Sequence, residues 1–165
     1  FLSNDGFRRQ INGSQVEVAD SMKTRYSASV NSVVYFALLP YGLNDPSVQK
    51  KFLGETQIEN KEQYVVEITF GQEGGGEDHE DIFIYWINKK DFTIDYMAYS
   101  FAENDGEGYR FRKAYNPRRV NGILFFDYIN YKPKSGAKLT DLEELFKKGE
   151  LEELSKIELL NISVE

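Results

Sequence analysis

The sequence contains no cysteine and a single histidine, His79. The lack of cysteine excludes disulfides, thiolate nucleophiles and cysteine zinc sites. A single histidine argues against a Ser-His-Asp triad and against a metal site with several histidine ligands. No run of about 18 apolar residues, the length that suggests a membrane-spanning helix, is present. Basic residues are also fewer than acidic ones, with 20 Lys and Arg against 27 Asp and Glu. The net charge of −7 argues against nucleic-acid binding.

The composition is that of a folded domain, with 41% hydrophobic residues in 165. This length fits one domain, so we expect residues 1–165 to form a single domain. The chain starts at Phe1 and enters a polar turn, without the charged and apolar regions of a signal peptide. We therefore expect it to be the C-terminal portion of a longer precursor. Its N-terminal strands, its signal and any lipid-attachment cysteine would lie upstream.

The first 40 residues predict a hairpin and a helix. Asn12-Gly13 lies between two extended runs and is a strong type I′ turn signal. Asp20 or Ser21 fits a helix N-cap, and Pro40 would end the helix. Between them, apolar residues recur at a 3.6-residue period and predict a buried stripe: Met22, Tyr26, Val30, Val33, Val34, Ala37 and Leu38.

From residue 50 onward the pattern predicts an antiparallel meander. Extended runs of similar length recur with turn residues between them. The last pair is predicted to turn at residues 116–119. Residues 139–154 are predicted to be helical or irregular, and a closing strand is predicted over 155–164. The predicted strands are 50–58, 62–70, 81–87, 93–101, 109–115 and 120–131.

Several strands are apolar or aromatic on both faces. In the strand 81–87, Ile84 and Trp86 point to one side while Phe83 and Tyr85 point to the other. In a sheet with one solvated face, apolar and polar residues alternate more regularly along each strand. Two explanations stay open: helices cover one side and curvature packs the other, or part of the second face lines an apolar cavity.

Short motifs in the central half of the chain resemble the lipoprotein-localisation (LolA/LolB-like) proteins. The segments 85–88 and 94–97 are similar to one hairpin of that fold. Residues 115–116, 120–123 and Phe126 are similar to another, although the usual proline after the glycine strand is absent. The resemblance implies an α+β fold, a strongly curved antiparallel sheet or incomplete barrel with a covering helix.

A closer resemblance, over nearly the whole chain, is to an uncharacterised family of secreted lipoproteins of Gram-negative bacteria. It rests on residues 31–36, 39–45, 74–78, 85–87, 110–112, 115–116, 127–128 and 130–133. The resemblance implies an outer-membrane-anchored lipoprotein at the periplasm or the cell surface. Some members are labelled deoxyribose-phosphate aldolase, and we reject that label here. Such an aldolase needs a Schiff-base lysine on a (β/α)₈ barrel, which a 165-residue strand meander cannot form.

Polar and aromatic residues on the central strands form a candidate ligand site. The simplest interpretation is cross-strand ion pairing at a sheet rim. The functional alternative is that these side chains place polar groups at the mouth of an apolar pocket, with the helix contributing one residue as a lid. The seven candidates are Tyr35, Trp86, Tyr99, Arg112, Tyr115, Asp127 and Tyr131.

The acidic run 77–81 follows three glycines and invites a calcium interpretation. Its spacing is not that of a calcium loop, so a solvated hairpin loop is favoured and no metal is expected. No catalytic residue and no cofactor are assigned.

Together, the sequence predicts a non-enzymatic lipoprotein domain that binds a lipid-like or amphipathic ligand in the concave face of the sheet. The alternative is an accessory interaction subunit of an outer-membrane complex, with a protein partner in place of a small ligand. In both, the protein meets the membrane only through an upstream lipid anchor.

Overall fold

The computed structural model describes residues 1–3, 5–74, 79–103, 106–134 and 136–164. These residues divide into two compact units, Phe1–Tyr41 and Gly42–Glu165. Among the described helices, we find none with the length and apolar character needed to cross a membrane.

The first unit begins with two antiparallel strand pairs. In the second pair, Asn12 and Gly13 form the turn with φ of 51° and 80°, the positive values that a type I′ turn requires. The predicted hairpin is confirmed. The four strands are β1 (Leu2–Ser3), β2 (Gly6–Phe7), β3 (Arg9–Ile11) and β4 (Ser14–Val16).

Helix α1 (Asp20–Leu38) completes this unit and ends just before Pro40, as predicted. The predicted buried stripe is wrong at its C-terminal end, where Val33 and Val34 are 40% and 51% exposed. The spacing of apolar residues determines which side chains share a helix face, but not how far along the helix that face is buried. Whether α1 acts as a lid stays a prediction.

The second unit is built on one seven-stranded antiparallel sheet. Its order is β11-β10-β9-β8-β7-β6-β5, so neighbours in sequence are neighbours in space and the predicted meander is confirmed. The sheet is open, with β5 and β11 at its edges. The strands are β5 (Val48–Ile58), β6 (Lys61–Phe70), β7 (Phe83–Asn88), β8 (Ile94–Glu103), β9 (Gly106–Val120), β10 (Ile123–Lys132) and β11 (Glu152–Ile157).

The turn between β9 and β10 is not at residues 116–119, where the sequence pattern placed it. It is formed by Asn121 and Gly122, with φ of 46° and 86°. Pro117 lies inside β9, where the pairing with β10 shifts register and Asn116 has a φ of 51°. A β-bulge tolerates proline because it interrupts the hydrogen-bond ladder.

One face of the sheet, here called the α2 face, carries the helical segment predicted near residue 139. A 3₁₀ turn (Leu139–Asp141) leads into helix α2 (Leu142–Lys147). Leu142 is fully buried against the sheet. The buried residues of this core are Ile58, Val65, Ile84, Trp86, Tyr96, Ala98, Phe111 and Leu142.

The closing strand begins and ends earlier than predicted. Strand β11 covers Glu152–Ile157, whereas the sequence pattern placed it at 155–164. Beyond Ile157 the backbone leaves the ladder, since the N–H of Leu159 donates to the Asp127 carboxylate and not to a strand neighbour.

Both faces of the interior strand β7 are buried, as its composition indicated. The exposed fractions of Tyr85 and Trp86, which point to opposite faces, are 0% and 2%. The structure thus confirms an α+β protein with a largely antiparallel sheet.

Candidate functional site

The seven candidate residues do not form one cluster. Trp86 and Tyr131 both contact Phe111 on the α2 face. Tyr99 and Arg112 lie on the opposite face, where the Arg112 guanidinium donates a 2.9 Å hydrogen bond to the Tyr99 hydroxyl. Two more, Tyr115 and Asp127, are register partners next to the bulge. Tyr35 belongs to α1 in the other unit, half-buried and in edge contact with Phe36.

An aromatic cluster on the α2 face joins the short helix to the sheet. The ring of Phe146 stacks on Phe111 with centroids 4.7 Å apart, and it contacts Tyr96 at 5.4 Å and Tyr131 at 5.6 Å. Aromatic pairs at these separations add stability beyond the area that they bury. The cluster therefore fixes α2, a helix too short to be stable alone.

A hydrogen bond between Trp86 and Glu143 adds a polar link at the same interface. The indole Nε1 of Trp86 donates to Oε2 of Glu143 at 2.8 Å. Burial alone would raise the pKa of Glu143, but hydrogen bonds from Lys147, Thr56 and Trp86 outweigh it and lower the pKa. Glu143 is therefore a carboxylate at neutral pH and accepts from the buried indole.

Beside this cluster lies an open cavity of about 520 Å³, here called the α2 cavity. Its volume falls within the range of small-molecule sites, roughly 300–1,000 Å³. The wall is amphipathic, with three apolar side chains, one tyrosine and three charged side chains. The lining residues are Ile58, Glu59, Lys113, Tyr131, Phe146, Lys147, Gly149 and Leu151. Tyr131 is the candidate residue that lines this cavity.

The charged groups of the α2 cavity are held in ion pairs. Lys113 Nζ donates to both carboxylate oxygens of Glu59, at 2.6 and 2.7 Å, and the Tyr96 hydroxyl donates to Glu59 at 2.9 Å. Burial would raise the pKa of Glu59, but these hydrogen bonds outweigh it and lower the pKa. Burial would lower the pKa of Lys147, but hydrogen bonds to Glu143 and Glu144 raise it. Glu59 and Lys147 are thus ionised at neutral pH.

Asp127 anchors the segment after β11. This buried carboxylate accepts hydrogen bonds from Arg118 at 2.8 Å, Asn116 at 2.7 Å and the backbone N–H of Leu159 at 2.9 Å. Burial would raise its pKa, but these three donors outweigh burial and lower the pKa. Asp127 forms its ion pair with Arg118. The candidate arginine, Arg112, lies opposite Asn130 in the strand register and not opposite Asp127. This geometry gives Asp127 a structural role.

A second buried carboxylate, Asp95, was not a sequence candidate. One of its oxygens accepts from Asn88 at 2.9 Å, Gln63 at 3.1 Å and Lys61 at 3.2 Å. Asp95 is the extra residue where β8 shifts register against β7. A bulge turns a side chain out of the alternating pattern, which is why periodicity does not reveal this cluster.

Most residues that line the α2 cavity were also missed from the sequence. Glu59 comes from the β5–β6 turn, Lys113 from β9 and Phe146 from α2, so the wall is assembled from distant segments. The available signal was the spacing of Leu142, Leu145 and Phe146, which is typical of one apolar helix face.

Two residues of the acidic run 77–81, Glu77 and Asp78, lie outside the described residues, which omit 75–78. Within the described part of the chain, no group of three or more His, Asp or Glu side chains is arranged to hold a metal ion.

Fold and site together define an α+β protein with an open antiparallel meander and a cavity beside a short helix. The chain belongs to a family of unknown function, DUF6503, whose model matches residues 1–160. No curated protein matches the chain, and no solved structure matches it. The membership in an uncharacterised family is confirmed, while the lipoprotein character and the LolA-like curvature stay predictions.

Proposed function

We propose that the protein is a non-enzymatic domain that binds a lipid-like or amphipathic molecule in the α2 cavity. The observation that carries this proposal is the cavity wall, where the apolar side chains of Ile58, Phe146 and Leu151 adjoin charged groups. Small-molecule sites combine an apolar lining with a few placed polar groups in this way. In this proposal the sheet curves around the cavity, as in the LolA/LolB-like proteins.

The protonation states at the cavity support binding over acid–base catalysis. A general acid or base works best with a pKa near the operating pH. The pKa of Glu59 is lowered and that of Lys147 is raised, so both move away from neutrality. These groups hold fixed charges, which suits recognition of a polar headgroup.

We further propose that the domain works at the periplasm or the cell surface, attached to the outer membrane by a lipid upstream of Phe1. This proposal rests on the family resemblance described above. Metabolic labelling of the native protein with a radioactive fatty acid, followed by membrane fractionation, tests it. Label in an outer-membrane fraction is expected, and an unlabelled protein recovered from the cytoplasm would contradict it.

Filling the cavity should weaken ligand binding without unfolding the protein. Leu151→Trp places a larger side chain at the cavity wall, and we expect it to weaken binding of dansyl-undecanoic acid at least tenfold. The wild type should bind with a micromolar Kd, about −8 kcal/mol. Fluorescence titration measures both values.

The matched control is Leu160→Trp, because Leu160 is 76% exposed and does not line the cavity. It should bind the probe like the wild type. A wild type without measurable binding would refute the proposal, as would equal binding by Leu151→Trp. Native mass spectrometry and organic extraction of the protein from its host should, in addition, recover a bound lipid.

A second candidate function is supported by the exposed edge of the sheet. In strand β5, Phe52 and Leu53 are 61% and 43% exposed, and an edge strand offers unpaired backbone groups to a partner strand. On this alternative the protein is an accessory subunit of an outer-membrane complex. A partner would then co-purify with the wild type and be lost from Phe52→Lys, while no lipid would be extracted.

A further inference from the structure

The α2 cavity is lined by charged side chains of both signs, and each of them is held in an ion pair. Its lining holds two cations, Lys113 and Lys147, and one anion, Glu59, although the protein carries a net charge of −7. Lys147 forms ion pairs with both Glu143 and Glu144, so Lys113 is the lining cation to consider as an anchor for an anion. The following inference rests on the proposed function and adds the class of headgroup.

The two lysines differ in the number of ammonium hydrogens that remain available to a ligand. Lys147 Nζ donates to three groups, Thr56, Glu143 and Glu144, which uses all three hydrogens of an ammonium group. Lys113 Nζ donates to Glu59 alone among the described residues. Two of its hydrogens suffice for the two Glu59 oxygens, so one is left for a ligand.

The surroundings of Lys113 suit the junction between a headgroup and an apolar chain. Its Nζ lies 5.9 Å from the centroid of the Phe146 ring, and Phe146 also lines the cavity. Tyr131 lines the same cavity, and its hydroxyl makes no hydrogen bond to a described residue. Burial raises the pKa of Tyr131, which keeps this hydroxyl a donor at neutral pH.

We propose that the ligand of the α2 cavity is an anionic amphiphile whose carboxylate or phosphate binds Lys113. The Tyr131 hydroxyl donates a second hydrogen bond to the same anion. The apolar chain lies along Ile58, Phe146 and Leu151. The carboxylate of Glu59 competes with the ligand for Lys113, so it sets how tightly an anion is held.

The test compares headgroups on one chain length. Binding of dodecyl phosphate, dodecanoate, dodecyl maltoside and dodecylammonium is measured by isothermal titration below their micellar concentrations. We expect at least one of the two anions to bind tenfold more tightly than the neutral maltoside, and dodecylammonium to bind most weakly. The ratio between the two anions distinguishes a phosphate from a carboxylate ligand.

Two opposite substitutions identify the anchor. Lys113→Gln should remove the preference for anions, while Glu59→Gln should tighten anion binding severalfold because it removes the competing charge. Lys90→Gln is the control, since Lys90 is an exposed lysine outside the cavity, and it should change nothing. If Lys113→Gln folds poorly, the change in anion affinity of Glu59→Gln still tests whether Lys113 is the anchor.

The possible failures are distinguishable. Equal affinity for anionic and neutral amphiphiles would overturn this inference and leave the proposed function standing. Weaker anion binding by Glu59→Gln would overturn it as well. No binding of any of the four amphiphiles would refute the proposed function itself.

Discussion

Leu142→Ala is expected to destabilise the protein by about 2–5 kcal/mol, the cost of removing a fully buried leucine side chain. Leu142 has an exposed fraction of 0% and packs into the core of the α2 face. Helix α2 has only six residues, so its own hydrogen bonds cannot hold it in place. Losing this anchor should loosen the wall of the α2 cavity as well. Urea denaturation followed by the fluorescence of Trp86, the single tryptophan, measures the change in the free energy of unfolding.

Leu160→Ala is the matched control for this measurement. Leu160 is 76% exposed, and surface substitutions of this kind usually change stability by less than about 0.5 kcal/mol. If both variants unfold at the same urea concentration as the wild type, α2 does not pack on the sheet as described.

Asp127→Ala should cost about 3 kcal/mol, the lower end of the range for breaking a buried ion pair. The side chain of Asp127 is 4% exposed and that of Arg118 is 26% exposed, so the arginine regains some hydration. The substitution also leaves the backbone N–H of Leu159 without its acceptor. Asp91→Ala, at an exposed turn, is the control and should be nearly neutral. Equal losses in both variants would contradict the anchoring role of Asp127.

The same carboxylate should make stability depend on pH. The pKa of Asp127 is lower in the folded protein than its unfolded value of roughly 3.9. Its contribution is therefore complete above the unfolded pKa and is lost as the pH falls through the folded pKa. Melting temperatures between neutral pH and pH 3 should fall for the wild type and fall less steeply for Asp127→Asn. Parallel curves for the two proteins would contradict this assignment.

Much of the sheet could be predicted from the sequence because its signals are local. Asn12-Gly13 was recognised as a turn, and the structure has it with both φ values positive. Asn121-Gly122 carries the same signal, but Pro117 lies close before it, and proline usually breaks a strand, so the sequence pattern favours a turn at residues 116–119. A β-bulge lets Pro117 lie inside a strand, because the hydrogen-bond ladder is interrupted there. The position of a bulge cannot be predicted from the alternation of apolar and polar residues.

The candidate site was harder to predict because its contacts join distant parts of the chain. Trp86 was singled out as a candidate, yet its partner Glu143 lies 57 residues away. Lys113 and Glu59, which are 54 residues apart, meet at the cavity wall. Periodicity assigned Tyr99 and Tyr131 to strands but could not show that they lie on opposite faces, since that depends on the register between strands.

The central claim is that an amphiphile occupies the α2 cavity, and nuclear magnetic resonance tests it most directly. The ¹⁵N-labelled protein is titrated with dodecyl phosphate below its micellar concentration, and backbone amide shifts are followed. Saturable shifts confined to the cavity wall, at Glu59, Lys113, Tyr131, Gly149 and Leu151, are predicted. An unchanged spectrum would contradict the account, as would shifts confined to the β5 edge around Phe52.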